Sequence, residues 1–161
     1  MMLALHTVLG VIALLSGAWN LIATKGDRRH RVVGWIYAGS MAGLIGTSFT
    51  IFELFDRFGP FHIMSLVSGA TLALALYFPV RRAHHDHWFE HHYMWITWSY
   101  VGLVMATGSH LFAYGPPGCP FWARAALYWG LPCVGGGALI FRWRAEMLRR
   151  FAPETVGESG A

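Results

Sequence analysis

Residues 81–100 read RRAHHDHWFEHHYMWITWSY. Arg81 and Arg82 open the stretch, and five of the chain's nine histidines follow within nine residues, at His84, His85, His87, His91 and His92. After Glu90 no Asp, Glu, Lys or Arg occurs before Arg124. This abrupt change from basic and polar to uncharged marks a loop on the inner face of a membrane turning into a spanning helix.

The rest of the chain repeats that alternation. Of 161 residues, 55% are hydrophobic and only 12% charged, against about 25% charged in an ordinary soluble domain. Five blocks carry no Asp, Glu, Lys or Arg: residues 1–24, 32–52, 59–80, 91–123 and 125–141. Roughly 20 residues of helix cross a bilayer core, so each block holds one span. The predicted helices are 3–23, 32–52, 61–80, 93–114 and 125–141. The first block lacks the basic start and small-residue cleavage site of a secretory signal, and it is read as a helix of the mature protein.

Lys and Arg set the orientation. With the N-terminus outside, the inner segments hold Lys25, Arg28, Arg29, Arg31, Arg81, Arg82, Arg142, Arg144, Arg149 and Arg150, and the outer segments hold only Arg57 and Arg124. The fold class is therefore all-α, a polytopic membrane bundle of five transmembrane helices, N-out and C-in. Residues 1–152 form the transmembrane domain and 153–161 a flexible cytoplasmic tail, with Arg142 to Phe151 lying along the inner interface. This asymmetry accounts for the net charge of +4 and the pI of about 9.4, so the lipid bilayer is the partner and nucleic acid is not. In the second helix Gly39, Gly43 and Gly46 predict close helix packing, whereas Gly135, Gly136 and Gly137 predict a loosened fifth helix. Cys119 and Cys133 match no metal or redox spacing.

The candidate chemistry is imidazole chemistry. His6, His62 and His110 fall near the outer ends of three predicted helices, and Glu53 closes the second helix at the same level. Three histidines and a carboxylate are a donor set for zinc, copper or iron. At the inner side stand His30 and His92. His92 and His110 are 18 residues apart, hence on one helix face and about 27 Å apart by rise. One helix thus offers an imidazole near each surface, with His6 and His30 as opposite ligands, an arrangement that suits b-type haem. His87, His91 and His92 look like one histidine box of the membrane di-iron hydroxylases, which need several. No Asp, Glu, Lys or Arg lies mid-span, which argues against a carboxylate-relay pump.

The pattern Lys25-Gly26-xxx-His30-Arg31-xx-Gly34-xx-Tyr37-xxx-Met41, followed by His92-Tyr93-Met94-Trp95 and Ser99-Tyr100, resembles a bacterial membrane protein family, domain of unknown function 2306. The resemblance covers roughly residues 3–112. It implies a multi-helix membrane fold in the bacterial inner (plasma) membrane, and it draws attention to His30, Arg31, Gly34, Tyr37, His92, Ser99 and Tyr100. An arginine is common in that family near this chain's His110, which makes the outer site a feature of this branch.

The leading expectation is a histidine-ligated metal or b-type haem protein of membrane redox chemistry, with His6, His62, His110 and Glu53 outside and His30 and His92 inside. Two other readings stand beside it. One is a carrier or sensor of metal ions or small solutes that gathers ions at His87 and His91. The other is a non-catalytic subunit, in a homo-oligomer or a larger membrane complex.

Overall fold

A computed structural model describes residues 1–50, 60–112 and 118–151. Among these residues the protein is all α, without strands. The helices are α1 (Met2–Ile22), α2 (Arg28–Ser48), α3 (Pro60–Val80) and α4 (Trp88–Leu111), followed by α5 (Phe121–Ala125). This last helix passes through a π-helical turn, Ala126–Gly130, into α6 (Leu131–Phe151). With that run taken as one rod, the described residues form five helices. Glu53 and the segment 152–161 lie outside them.

Local chemistry explains the first turn. The Lys25 ammonium donates to the carbonyls of Asn20 and Leu21 and closes the C-terminus of α1. Gly26 takes φ +84°, a region where glycine carries no Cβ penalty. The Asp27 carboxylate then accepts from the His30 backbone N–H at 2.6 Å and caps α2. A turn this short makes α1 and α2 antiparallel neighbours. α3 packs along α4, α2 on α3 and α1 on α4, and α6 lies against α4. The first four helices thus close a ring in which α2 faces α4 across the middle.

The core is small: Ala13, Tyr37, Ala38, Met41, Leu72 and Leu103, with a second cluster of Tyr93, Val101 and Ile140 towards α6. Polar residues share the inside, among them Ser16, Ser40, Thr47, His62, Thr97 and Ser99. Large apolar side chains cover the outside, with Ile22 86%, Val134 74% and Leu15 68% exposed. A bundle with hydroxyls inside and bare leucine outside is built for an apolar surrounding.

Two helices are long and apolar enough to cross a membrane, Met2–Ile22 and His62–Val80, and only 17% and 11% of their apolar windows are buried. α2, α4 and α6 have the length, at 21, 24 and 21 residues, but carry more polar groups. α2 begins on Arg28, Arg29, His30 and Arg31, and α6 ends on Arg142, Arg144, Arg149 and Arg150.

Several boundaries differ from expectation. α2 starts at Arg28 and α4 at Trp88, so His30 and His91 belong to first turns of helices instead of loops, and His92 follows in the second turn of α4. The Asp27 cap explains the first shift. The rod after Pro120 runs unbroken to Phe151 in place of a separate interfacial stretch. There, Glu146 pairs with Arg149 and Arg150 one turn on, and Arg144 reaches Glu90 of α4, its Nε at 2.9 Å. The triple glycine leaves α6 helical. Gly136 admits Val101 and Gly137 admits Trp98, since a Cβ at either would lie 2.6 or 3.0 Å from those side chains. Gly39 and Gly46 face open space, while Gly43 meets Leu9. Close approach occurs instead at Gly17, under the Tyr100 ring, and at Gly108, under the Tyr128 carbonyl of the π turn. Beside Gly108 an apolar cleft of about 190 Å³ opens between Leu14, Thr107, Leu127 and Pro132.

These contacts separate two glycines sharply. A Cβ at Gly108 would stand 2.7 Å from a backbone carbonyl, so Gly108→Ala is expected to lower stability by about 1–3 kcal/mol. Gly39→Ala meets nothing within 4 Å and is expected to raise it by up to about 1 kcal/mol. Thermal unfolding of both variants in detergent checks this pair.

Candidate histidine sites

At the end of the bundle where α1 begins, His6 of α1 and His110 of α4 lie with ring centroids 5.8 Å apart, tilted by 59°. The Thr47 hydroxyl back-bonds to the carbonyls of Gly43 and Leu44, both at 2.9 Å. Its oxygen therefore accepts from His6 Nδ1–H, also at 2.9 Å. That leaves the His6 Nε2 lone pair available. His62 goes elsewhere: it is buried, with its ring 6.0 Å from that of Phe49. Of the expected outer set the structure joins His6 with His110, and Glu53 lies outside the described residues. Among the described residues no three His, Cys, Asp or Glu side chains gather around one point fit for a metal ion.

The opposite end is built from residues of the Lys25-to-Met41 and His92-to-Tyr100 pattern. Tyr37 of α2 and Ser99 of α4 share a buried hydrogen bond of 3.0 Å. His30 precedes Tyr37 by seven residues and His92 precedes Ser99 by seven, two turns or about 10.5 Å in each helix. The same faces that bring Tyr37 to Ser99 therefore bring His30 towards His92, close enough for their charges to interact. His92 Nδ1–H donates to the Ala75 carbonyl of α3 at 2.6 Å. A bond of this kind fixes a ring and leaves Nε2 as the free acceptor, as in metal-ligating histidines. His30 Nδ1 and Asn20 Oδ1 are both buried and have no hydrogen-bond partner. Asn20 lies over α2, for a Cβ at Gly34 would sit 3.5 Å from its Nδ2. Tyr100 completes the seam, its ring 6.4 Å from that of Tyr37 and its hydroxyl on the Leu14 carbonyl at 3.3 Å.

His30 precedes the uncharged stretch of α2. Burial holds its pKa below the ordinary value of 6.5, the charges of Lys25 and His92 push the same way, and Asp27 opposes them. Burial likewise lowers Lys25.

The other loop histidines do not gather. His91 stacks on Phe78 at 4.6 Å, and His85 meets Tyr77 and Phe78 at 5.4 and 5.3 Å. His84 and His87 are exposed. Sequence reasoning passed over Asn20 and Thr47. Asn20 carried a signal: it is the chain's sole carboxamide side chain, as Lys25 is its sole lysine. Thr47 carried none, because its role comes from where His6 falls.

An all-α bundle with polar residues inside, bare apolar faces outside and two helices long and apolar enough to cross a bilayer is in keeping with a membrane protein. The chain belongs to the family described as predicted membrane protein DUF2306, whose sequence model matches residues 3–117. No curated protein matches the chain, and no solved structure does.

Two outcomes follow from this site. Tyr37→Phe leaves Ser99 short of a partner in a buried place, and is expected to cost about 1–3 kcal/mol. The double variant Tyr37→Phe with Ser99→Ala should cost less than the sum of the single changes. A double-mutant cycle by thermal melting measures both. For pH, the folded protein keeps His30 neutral to lower pH than the unfolded chain does, so protons favour unfolding. Stability is complete above the unfolded value of 6.5, declines as pH falls through it, and levels below the folded pKa. His30→Gln should flatten that part of the profile, read as melting temperature against pH.

Proposed function

We propose that this protein spans the bacterial inner membrane five times, N-out and C-in, and works in membrane redox chemistry through a metal held by paired histidines at each face. One observation carries the reading: helices that face each other present imidazoles in pairs at two depths, His6 with His110 and His30 with His92. In each pair one ring is fixed through Nδ1, by Thr47 or by the Ala75 carbonyl. Sites of this type lie in bundle cores, on side chains from facing helices. The bundle favours the topology as well, because Lys25, Arg28, Arg81 and Arg144 all cluster at the end that carries His30 and His92.

Two imidazoles are too few for a zinc site, which takes three or four protein ligands. They match the protein's share of a bis-histidine b-type haem, where the macrocycle supplies the rest. They also suit a copper or iron ion completed by other donors. At the outer end the two rings, with centroids 5.8 Å apart, would be near enough to share one metal. His6 and His110 would hold the outer group and His30 and His92 the inner one, and the bound iron or copper would supply one-electron chemistry. The chain's own contribution is to fix ring orientation and to keep the inner pair shielded from water.

Protein purified in mild detergent is expected to show a Soret band or stoichiometric iron or copper. His92→Ala should remove about half of the signal and His110→Ala the other half. A colourless protein free of iron and copper by elemental analysis would end this reading.

A further inference from the structure

The corner of the bundle where α1 begins offers a third donor beside the pair His6 and His110. Met2 opens α1 and stands one helical turn before His6. Residues spaced in this way share a helix face, with Cβ atoms about 5–6 Å apart. The face is the one turned inwards. From Met2 to Ala13 is about 20° more than three full turns, and Ala13 is buried at 0% exposure. Leu9, between them, meets Gly43 of α2. Each Cα–Cβ bond in a helix tilts towards the N-terminus, so the His6 side chain leans towards the turn that Met2 occupies. Thr47 holds the His6 ring through Nδ1 and leaves Nε2 available. Met2 is 41% exposed and His110 is exposed as well, so an ion can reach this corner from outside the bundle.

We infer that Met2, His6 and His110 form a binding site for a cuprous ion. Two imidazole nitrogens and one thioether sulfur make three donors, all of them neutral. A thioether is a soft ligand that selects Cu(I), whereas imidazoles alone leave zinc, iron and copper in competition. Neutral donors also leave the charge of the ion uncancelled. Beside an apolar surrounding, a single charge costs less to hold than a double one. Methionine sulfur escapes a search for clustered His, Cys, Asp and Glu side chains, which finds no group of three among the described residues. The inference deepens the reading of His6 and His110 as metal ligands, on which it rests, by naming the ion and a third ligand.

The test is a Cu(I) titration of the full chain in lipid nanodiscs, stripped of metal and kept under argon with ascorbate. Affinity is read by competition with bicinchoninate, and the ligands by X-ray absorption at the copper edge. The natural chain is expected to bind a Cu(I) ion that His110→Ala does not bind, with sulfur in its coordination shell. Met2→Leu puts a hydrocarbon of like size at an exposed position. It should keep the melting temperature, weaken that ion by about tenfold or more and remove the sulfur signal. The inference is overturned if His110→Ala binds Cu(I) as the natural chain does, if Met2→Leu retains either the affinity or the sulfur signal, or if Zn(II) at equal concentration displaces the Cu(I). The redox reading can fail separately. A chain that purifies without metal yet takes up Cu(I) through Met2 ends that reading and supports this inference. A chain that purifies with haem or iron on His6 and His110 does the reverse.

Discussion

The hydrogen bond from Tyr37 to Ser99, 3.0 Å long and buried, joins two helices that face each other across the bundle without packing closely. It cannot be exchanged for water in an apolar interior, where every polar group needs an internal partner. It therefore fixes the rotation of α2 and α4 about their axes as well as their height. Once those are fixed, positions two turns nearer the start of each helix must also confront one another, and His30 and His92 hold those positions. Gly17 matters for the same reason. The Tyr100 ring lies where its Cβ would be, 2.5 Å away, and Tyr100 in turn tilts against Tyr37. Tyr37, Ser99, Tyr100 and Gly17 thus form one packed seam, with His30 and His92 two turns further along it.

The two ends of α4 share a helix face and differ in surroundings. His110 is exposed and meets His6, which a threonine on a third helix holds in place. His92 is enclosed, anchored to the α3 backbone, and sits in the field of Lys25. One helix face thus carries similar rings at both ends in different surroundings.

Much of this was legible beforehand. Uncharged blocks gave the number of helices, because a bilayer tolerates so few charges that Arg28–Arg31 and Arg81–Arg82 punctuate the chain. Depth alone set His6 level with His110, whose rings lie 5.8 Å apart, and depth with the shared face of α4 gave the expectation for His30 and His92. His62 misled for a physical reason: depth fixes the level of a residue but not the direction it faces, and His62 turns to Phe49. Gly39 and Gly46 misled likewise, since spacing shows that small residues share a face without showing what that face meets. Hydropathy picks out Met2–Ile22 and His62–Val80, while α2 and α4 fall short because they carry the polar side chains that line the middle. Asn20 could have been noticed as the sole carboxamide of the chain. The bond from His92 to Ala75 could not, since a backbone carbonyl leaves no trace in a sequence.

The π turn at Ala126–Gly130 has a consequence for how the rod after Pro120 is phased. A wider turn absorbs one extra residue, and one residue is about 100° of rotation in an α-helix. Below the turn Gly136 and Gly137 face Val101 and Trp98, while above it Arg124 reaches the Phe112 carbonyl, and within it Trp129 reaches Ser109. A uniform helix would swing one of these sets away from α4. The turn works as a gear with one tooth added, letting a single rod mesh with its neighbour at both heights although the two meshing faces are out of step along the chain.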